Sequence, residues 1–241
     1  MLTNIWNVVL YNPLLNALAL LVSFIPGGDV GLAVIVLTLL VKVILYPLSQ
    51  RSIESQAKMK LLEPELKKIK ESGANKEEQA RKTMELYKIH KTNPFSGCLL
   101  VLIQIPIIFA LYFVFLKGIN FNSEALYSFV SVPTKINMNF LGFIDLGQKS
   151  LLLAILAGAS QFFQAYYMPK PNTSSGKTGS FQETFSKSMN MQMKYVFPFV
   201  VAFIAYSISG AVALYWITSN IFTMCQQIYS NKKNKLKLTV K

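Results

Sequence analysis

Residues 38–49, TLLVKVILYPLS, form an apolar run with one charge, Lys42, near its middle. A lysine at the centre of a membrane helix costs roughly 2.5–3.5 kcal/mol on insertion scales, and such residues face a polar cavity or the bundle interior. At helical spacing Thr38 lies four residues before Lys42, Tyr46 four after and Ser49 seven after. These side chains share one face, so the run predicts a helix with Lys42 on a polar stripe. Snorkelling from a helix end is the competing reading. Against it, Lys42 lies several residues inside the run, and Pro47 and Arg51 already mark the exit.

Composition agrees with a membrane protein. The chain has 241 residues, 52% hydrophobic and 15% charged, with mean hydropathy +0.39 and net charge +13. That is too apolar for an ordinary soluble domain. Cys98 and Cys225 lie in or beside apolar runs and fit neither a metal nor a redox motif. His90 is the only histidine in the sequence, so a histidine metal cluster and a histidine-based triad are excluded. Gly176-Lys177-Thr178 resembles the end of a phosphate loop, but Pro171 stands where the earlier glycine is required. Asn172-Thr173-Ser174 matches a glycosylation acceptor, but falls in a segment expected in the cytoplasm. The chain is therefore read as not an enzyme, with no cofactor.

The expected fold class is all-α: a polytopic membrane protein, a five-span helical bundle with a cytoplasmic helical hairpin and an N-terminal interfacial helix. Residues 1–28 are apolar and uncharged, but carry Asn4, Asn7, Asn12 and Asn16 and are broken by Pro13 and Pro26. They could span; the asparagines and Pro13 favour a bent helix in the interface. Residues 29–50 are read as transmembrane span 1. Residues 51–94 form the hairpin; from Gln50 to Asn93 the chain holds eleven Lys/Arg and seven Glu, with Gly73 breaking the middle. Span 2 covers 95–117, an extracytoplasmic segment 118–149, and span 3 150–168. A Ser/Thr/Gly-rich cytoplasmic linker occupies 169–194. Spans 4 and 5, 195–209 and 211–230, meet at Ser209-Gly210, and a basic cytoplasmic tail covers 231–241.

Charge sets the orientation. Hairpin, linker and tail hold 20 of the 24 Lys/Arg, which places them in the cytoplasm and the N-terminus outside. The spans also carry Gln104, Gln161 and Gln164, and Trp216, Asn220, Thr223 and Gln227 recur on one face of the last span. Any one glutamine can be interhelical glue. Several stripes together with a lysine point to a hydrated intramembrane cavity, and with no Asp or Glu inside any span beyond Asp29 at the first residue of span 1, a proton relay or cation site is disfavoured. Two alternatives compete with a cavity that serves other proteins: a small anion transporter or channel, and a scaffold whose polar stripes only join helices. No inverted repeat supports the transporter. The basic tail suits anionic lipid or RNA through electrostatics alone, without sequence-specific nucleic-acid contacts.

VKVILYPLSQ followed by a charged hairpin, then NPFSGCLLVLIQIPIIFALYFVF, then SGAVALYWITSNIFTMCQQ, resembles the YidC/Oxa/Alb membrane protein insertase family from about Ile5 to Lys233. The chain looks like the five-span core without the large extracytoplasmic domain of some bacterial members. The resemblance implies a chaperone-like role in protein translocation and insertion at the bacterial inner membrane. It implies a hydrophilic groove in the inner half of the bilayer, open to cytoplasm and lipid and closed outside. The groove carries one basic residue, usually arginine; the matching position here is Lys42, which supplies charge but not a bidentate guanidinium. Thr38, Trp216 and Gln164 match polar groove positions; Tyr46, Gln104 and Asn220 join them from the stripes above. Ile108 and Ile204, with residues on the Met193 side, match the client-contacting wall. Implied partners are nascent membrane proteins, the lipid bilayer, the ribosome and targeting machinery, with the Sec translocon a further candidate.

Overall fold

A computed structural model describes residues 5–73, 75–93, 96–116, 121, 126–168, 188 and 191–239. Most of the 169–194 linker, with Asn172 and Gly176–Thr178, lies outside the described residues, as do parts of the 118–149 segment and the last two residues of the tail.

Nine α-helices run among the described residues: α1 (Asn12–Phe24), α2 (Val30–Ile44), α3 (Tyr46–Leu61), α4 (Glu63–Glu71), α5 (Lys76–Ile89), α6 (Ser96–Leu116), α7 (Leu151–Tyr167), α8 (Phe197–Ser207) and α9 (Gly210–Thr239). One two-stranded antiparallel hairpin, β1 (Asn139–Phe140) and β2 (Ile144–Asp145), stands between α6 and α7. Single π-helical turns, Asn7–Tyr11 and Gln192–Val196, lead into α1 and α8. Each precedes a proline at the start of its helix, Pro13 or Pro198. Proline lacks an N–H and its ring crowds the carbonyl four residues back, so the preceding turn widens.

Two apolar clusters hold the bundle. Leu14, Leu15, Leu18, Ala19 and Val22 of α1 are buried against Val30, Ala33, Val34 and Leu37 of α2 and Ile107, Ala110, Leu111 and Val114 of α6. A second cluster joins Leu153, Ala154 and Ala157 of α7, Val201 and Ala205 of α8, and Ala211 to Leu214 of α9. Small residues let α7 and α8 close up: a Cβ on Gly158 would lie 3.0 Å from the Pro198 carbonyl oxygen. Residues 1–28 thus supply a helix with one face buried in the bundle. The stretch Asn7–Phe24 has the length and apolarity to cross a membrane. Asn16, one of the asparagines read as an interfacial signal, accepts a hydrogen bond from the Tyr127 backbone N–H at 2.7 Å.

Two local features depart from the sequence reading. Residues 29–50 are not one straight helix: α2 ends at Ile44, and α3 leaves at 63°. Pro47 in the first turn of α3 breaks the hydrogen-bond ladder at the bend. Helix α3 then carries on without interruption to Leu61, so the hairpin's first arm is continuous with a helix that packs against the bundle. The arms meet through Leu62, Leu86 and Tyr87, with Met59, Leu66 and Ile69 around them. The β-hairpin was unforeseen. It is tied to two helix starts: Asp29, the N-cap of α2, accepts from the Gly31 and Leu32 N–H groups, and its other oxygen accepts from Leu141 N–H at 3.0 Å. The Gly210 and Ala211 N–H groups of α9 donate to the carbonyls of Gln148 and Leu146.

Candidate functional site

Between α2, α6, α7 and α9 lies a cavity of about 110 Å³. Its polar wall comprises Lys42, Ser49, Gln104, Gln161, Gln164, Ser219, Asn220 and Thr223. Its apolar wall is built mainly by Ile103, Ile105 and Ile108 of α6, Met168 at the end of α7, and Met193 and Phe197 leading into α8. Trp216 closes one side.

Helical periodicity explains the polar wall. Trp216, Ser219, Asn220 and Thr223 recur at three- and four-residue steps on α9, one stripe on one face. Lys42 reaches into this stripe from α2. Its Nζ donates to Gln104 Oε1 at 3.2 Å and to Thr223 Oγ1 at 3.1 Å. Gln104 turns its Nε2 the other way, donating to Tyr215 OH and to Ser219 Oγ. Thr223 Oγ1 donates its own hydrogen bond to the Ser219 carbonyl at 2.8 Å. Across the cavity Asn220 Nδ2 donates to Ser160 Oγ at 2.9 Å, tying α9 to α7. The ammonium therefore sits among neutral acceptors. Among the described residues, ion pairs occur only on the charged hairpin, as in Lys82–Glu78. Gln164 Oε1 is buried at the wall and accepts from no described residue.

The structure brings Lys42, Ser49, Gln104, Gln161, Gln164, Trp216, Asn220, Thr223 and Ile108 to one cavity; Gln227 is buried outside it, and three other residues singled out in the sequence also lie elsewhere. Thr38 is buried in the bundle and donates to the Val34 carbonyl at 2.6 Å. Tyr46 follows the bend, so the face it shares with Lys42 on an unbroken helix is turned away; its carbonyl accepts weakly from Gln226 Nε2 at 3.5 Å. Ile204 packs against the second apolar cluster. Sequence reasoning missed Ser219 and Tyr215, though both lie beside the stripe on α9. The Met193 side of the wall was expected, but Met168 and Phe197 were not, since no periodic signal joins these segments.

A second polar set joins α3 to α9 at the Lys42 end of the cavity. Ser49 Oγ donates to Gln226 Oε1 at 2.9 Å, and Gln50 Nε2 donates to Ser230 Oγ at 3.1 Å and to Glu54 Oε1 at 3.0 Å. These bonds fix the root of the hairpin just past the bend.

A family model described as 60Kd inner membrane protein matches residues 21–237. A protein of Fusobacterium nucleatum named membrane protein insertase YidC is 35% identical over 230 residues, covering 93% of this chain and 98% of that protein. A Clostridium tetani protein of the same name is 33% identical, with 86% and 84% covered. Another, from Francisella tularensis subsp. novicida, is 33% identical over 83% of this chain but only 32% of its own length.

Proposed function

The chain belongs to the 60Kd inner membrane protein family, and from that membership we propose that it inserts integral membrane proteins into the bacterial inner membrane through the cavity around Lys42. Nascent membrane proteins are its substrates and the bilayer is its medium.

The observation that carries the mechanism is the Lys42 ammonium held by two neutral acceptors, with no carboxylate lining the cavity around it. Its depth follows from two independent counts. Lys42 lies 12 residues past the start of α2, and its partner Thr223 lies 13 past the start of α9. At 1.5 Å per residue these are about 18 and 20 Å. If both helices start at the outer boundary of a hydrocarbon layer about 30 Å thick, the charge lies in its inner half. The β-hairpin tied to those two helix starts supports a closed outer end. Gln164 Oε1, buried without a donor, supports a hydrated cavity, since an unmet buried acceptor costs about 1–3 kcal/mol.

A client's polar, often acidic, segment must enter a layer where isolated charge is costly. The cavity receives it partway with water, amides, hydroxyls and one positive charge, which shortens the apolar distance still to cross. The client's apolar helix meanwhile stays against the wall carrying Ile108, where burial from water stabilises it by roughly 25 cal/mol per Å². The five-span arrangement, the interfacial placement of residues 1–28 and the cytoplasmic hairpin, linker and tail belong to this proposal. So do contacts of the basic hairpin with the ribosome and targeting machinery, and cooperation with the Sec translocon. Reconstitution tests the reading. Liposomes holding the purified chain should insert a small single-span client without nucleotide; equal insertion into protein-free liposomes would sink the proposal.

A further inference from the structure

The turn joining β1 and β2 presents an uncharged tip, Leu141-Gly142-Phe143, whose two apolar side chains are exposed. Phe143 is 91% exposed and Leu141 59%. Leu141 also adopts φ +51°, the left-handed region that a leucine rarely occupies. This conformation is held from several sides. The Asp29 carboxylate accepts from Leu141 N–H, and Gly142 and Phe143 N–H donate to the Asn139 and Phe140 carbonyls. The Phe140 ring lies against α2 so closely that a Cβ on Gly31 would fall 2.2 Å from it. A rigid, strained turn that displays phenylalanine is a feature of interaction surfaces.

We propose that this tip is a wedge seated in the outer leaflet of the bilayer, at the level of the lipid headgroups and upper acyl chains. Three observations select lipid as the occupant. The hairpin sits at the starts of α2, α7 and α9, which the proposed topology aligns at the outer boundary. The first turns of α7 expose an apolar face without a charged residue, Leu151, Leu152 and Ile155. Exposed Lys135 and Lys149 flank the hairpin in sequence, while Asp145 is occupied by Gly147 N–H and Gln148 Nε2. Aromatic tips bordered by lysines match the headgroup zone, where rings partition and phosphates attract ammonium groups. The wedge fixes the depth of the stopper over the cavity's outer end while clients move below it.

This inference rests on the membrane-spanning reading, and the test separates the two. Nitroxide labels are placed at Phe143→Cys, Phe129→Cys, Ile155→Cys and Lys67→Cys, each in the full-length Cys98→Ser/Cys225→Ser protein in liposomes. Phe129, 73% exposed in the same extracytoplasmic segment, is the second reporter of that segment. Collision with dissolved oxygen and with a water-soluble nickel chelate is then compared. The proposal expects oxygen to exceed chelate at position 143 by several-fold, between the lipid value at 155 and the water value at 67. A ratio at 143 and 129 equal to that at 67, with 155 still lipid-like, overturns the wedge alone. Exclusion of both probes from 143 also overturns it, because protein then covers the tip. A water-like ratio at 155 overturns the spanning reading itself.

Discussion

Lys42→Arg keeps a positive charge in the cavity and should retain client insertion within about twofold, because neither Gln104 Oε1 nor Thr223 Oγ1 demands an ammonium. Lys42→Glu reverses the field. Two unit charges about 8 Å apart interact by roughly 2 kcal/mol at an effective dielectric near 20. Insertion of clients with acidic translocated segments should then slow by about tenfold or more in a reconstituted assay, while neutral clients change little. Equal slowing of both classes would point to misfolding rather than charge. Gln104→Glu offers a sharper separation. It places a carboxylate where the amide oxygen now accepts from Lys42, 3.2 Å away, with little change of shape. Thermal unfolding in detergent should shift little, yet insertion of acidic clients should fall toward the Lys42→Glu level. If insertion is unchanged, the free positive charge is not what clients use.

At the scale of single elements, the bend after Ile44 and the polar set beyond it decide how the hairpin is aimed. Ser49→Ala combined with Gln226→Leu removes the bond at 2.9 Å and the weaker bonds that Gln226 makes to Tyr46 and Gln50. Interhelical bonds in membrane proteins average about 0.6 kcal/mol, so the pair should cost on the order of 1 kcal/mol. Hydrogen exchange over residues 46–61 should quicken while α7 stays protected; unchanged exchange would show that packing alone holds the root. On the opposite side, Gly31→Ala forces a methyl into the Phe140 ring and should destabilise the protein by about 1–3 kcal/mol, read by denaturation. These two places mark where sequence reading stopped. Pro47 announced a helix exit, but not that α3 would carry on at 63° as one helix into the hairpin. The β-hairpin has two residues per strand, too short for any alternating pattern to register, and it is built by caps from Asp29 and by carbonyls of Leu146 and Gln148. By contrast, the stripe on α9 was plain, because a 30-residue helix repeats its period several times.

Across the whole molecule, the cavity joins residues from sequence positions 42 to 223, and only helix periodicity and the oddity of a lysine in an apolar run disclosed its polar side. Helix pairing decided the rest: Thr38 shares the Lys42 stripe on a wheel, yet it is buried and its hydroxyl donates to the Val34 carbonyl. Account and wheel therefore differ on Thr38. A cysteine there should stay unlabelled by a polar maleimide, whereas one at Asn220 should react once the opposite face of the cavity is wet. The central claim is a cavity that water reaches from one side of the membrane only, and its most direct measurement uses Gln164→Cys in a cysteine-free background. Sealed vesicles of both orientations are treated with a membrane-impermeant maleimide. The account predicts labelling from the cytoplasmic face alone; labelling from the outer face, or from neither, would contradict it.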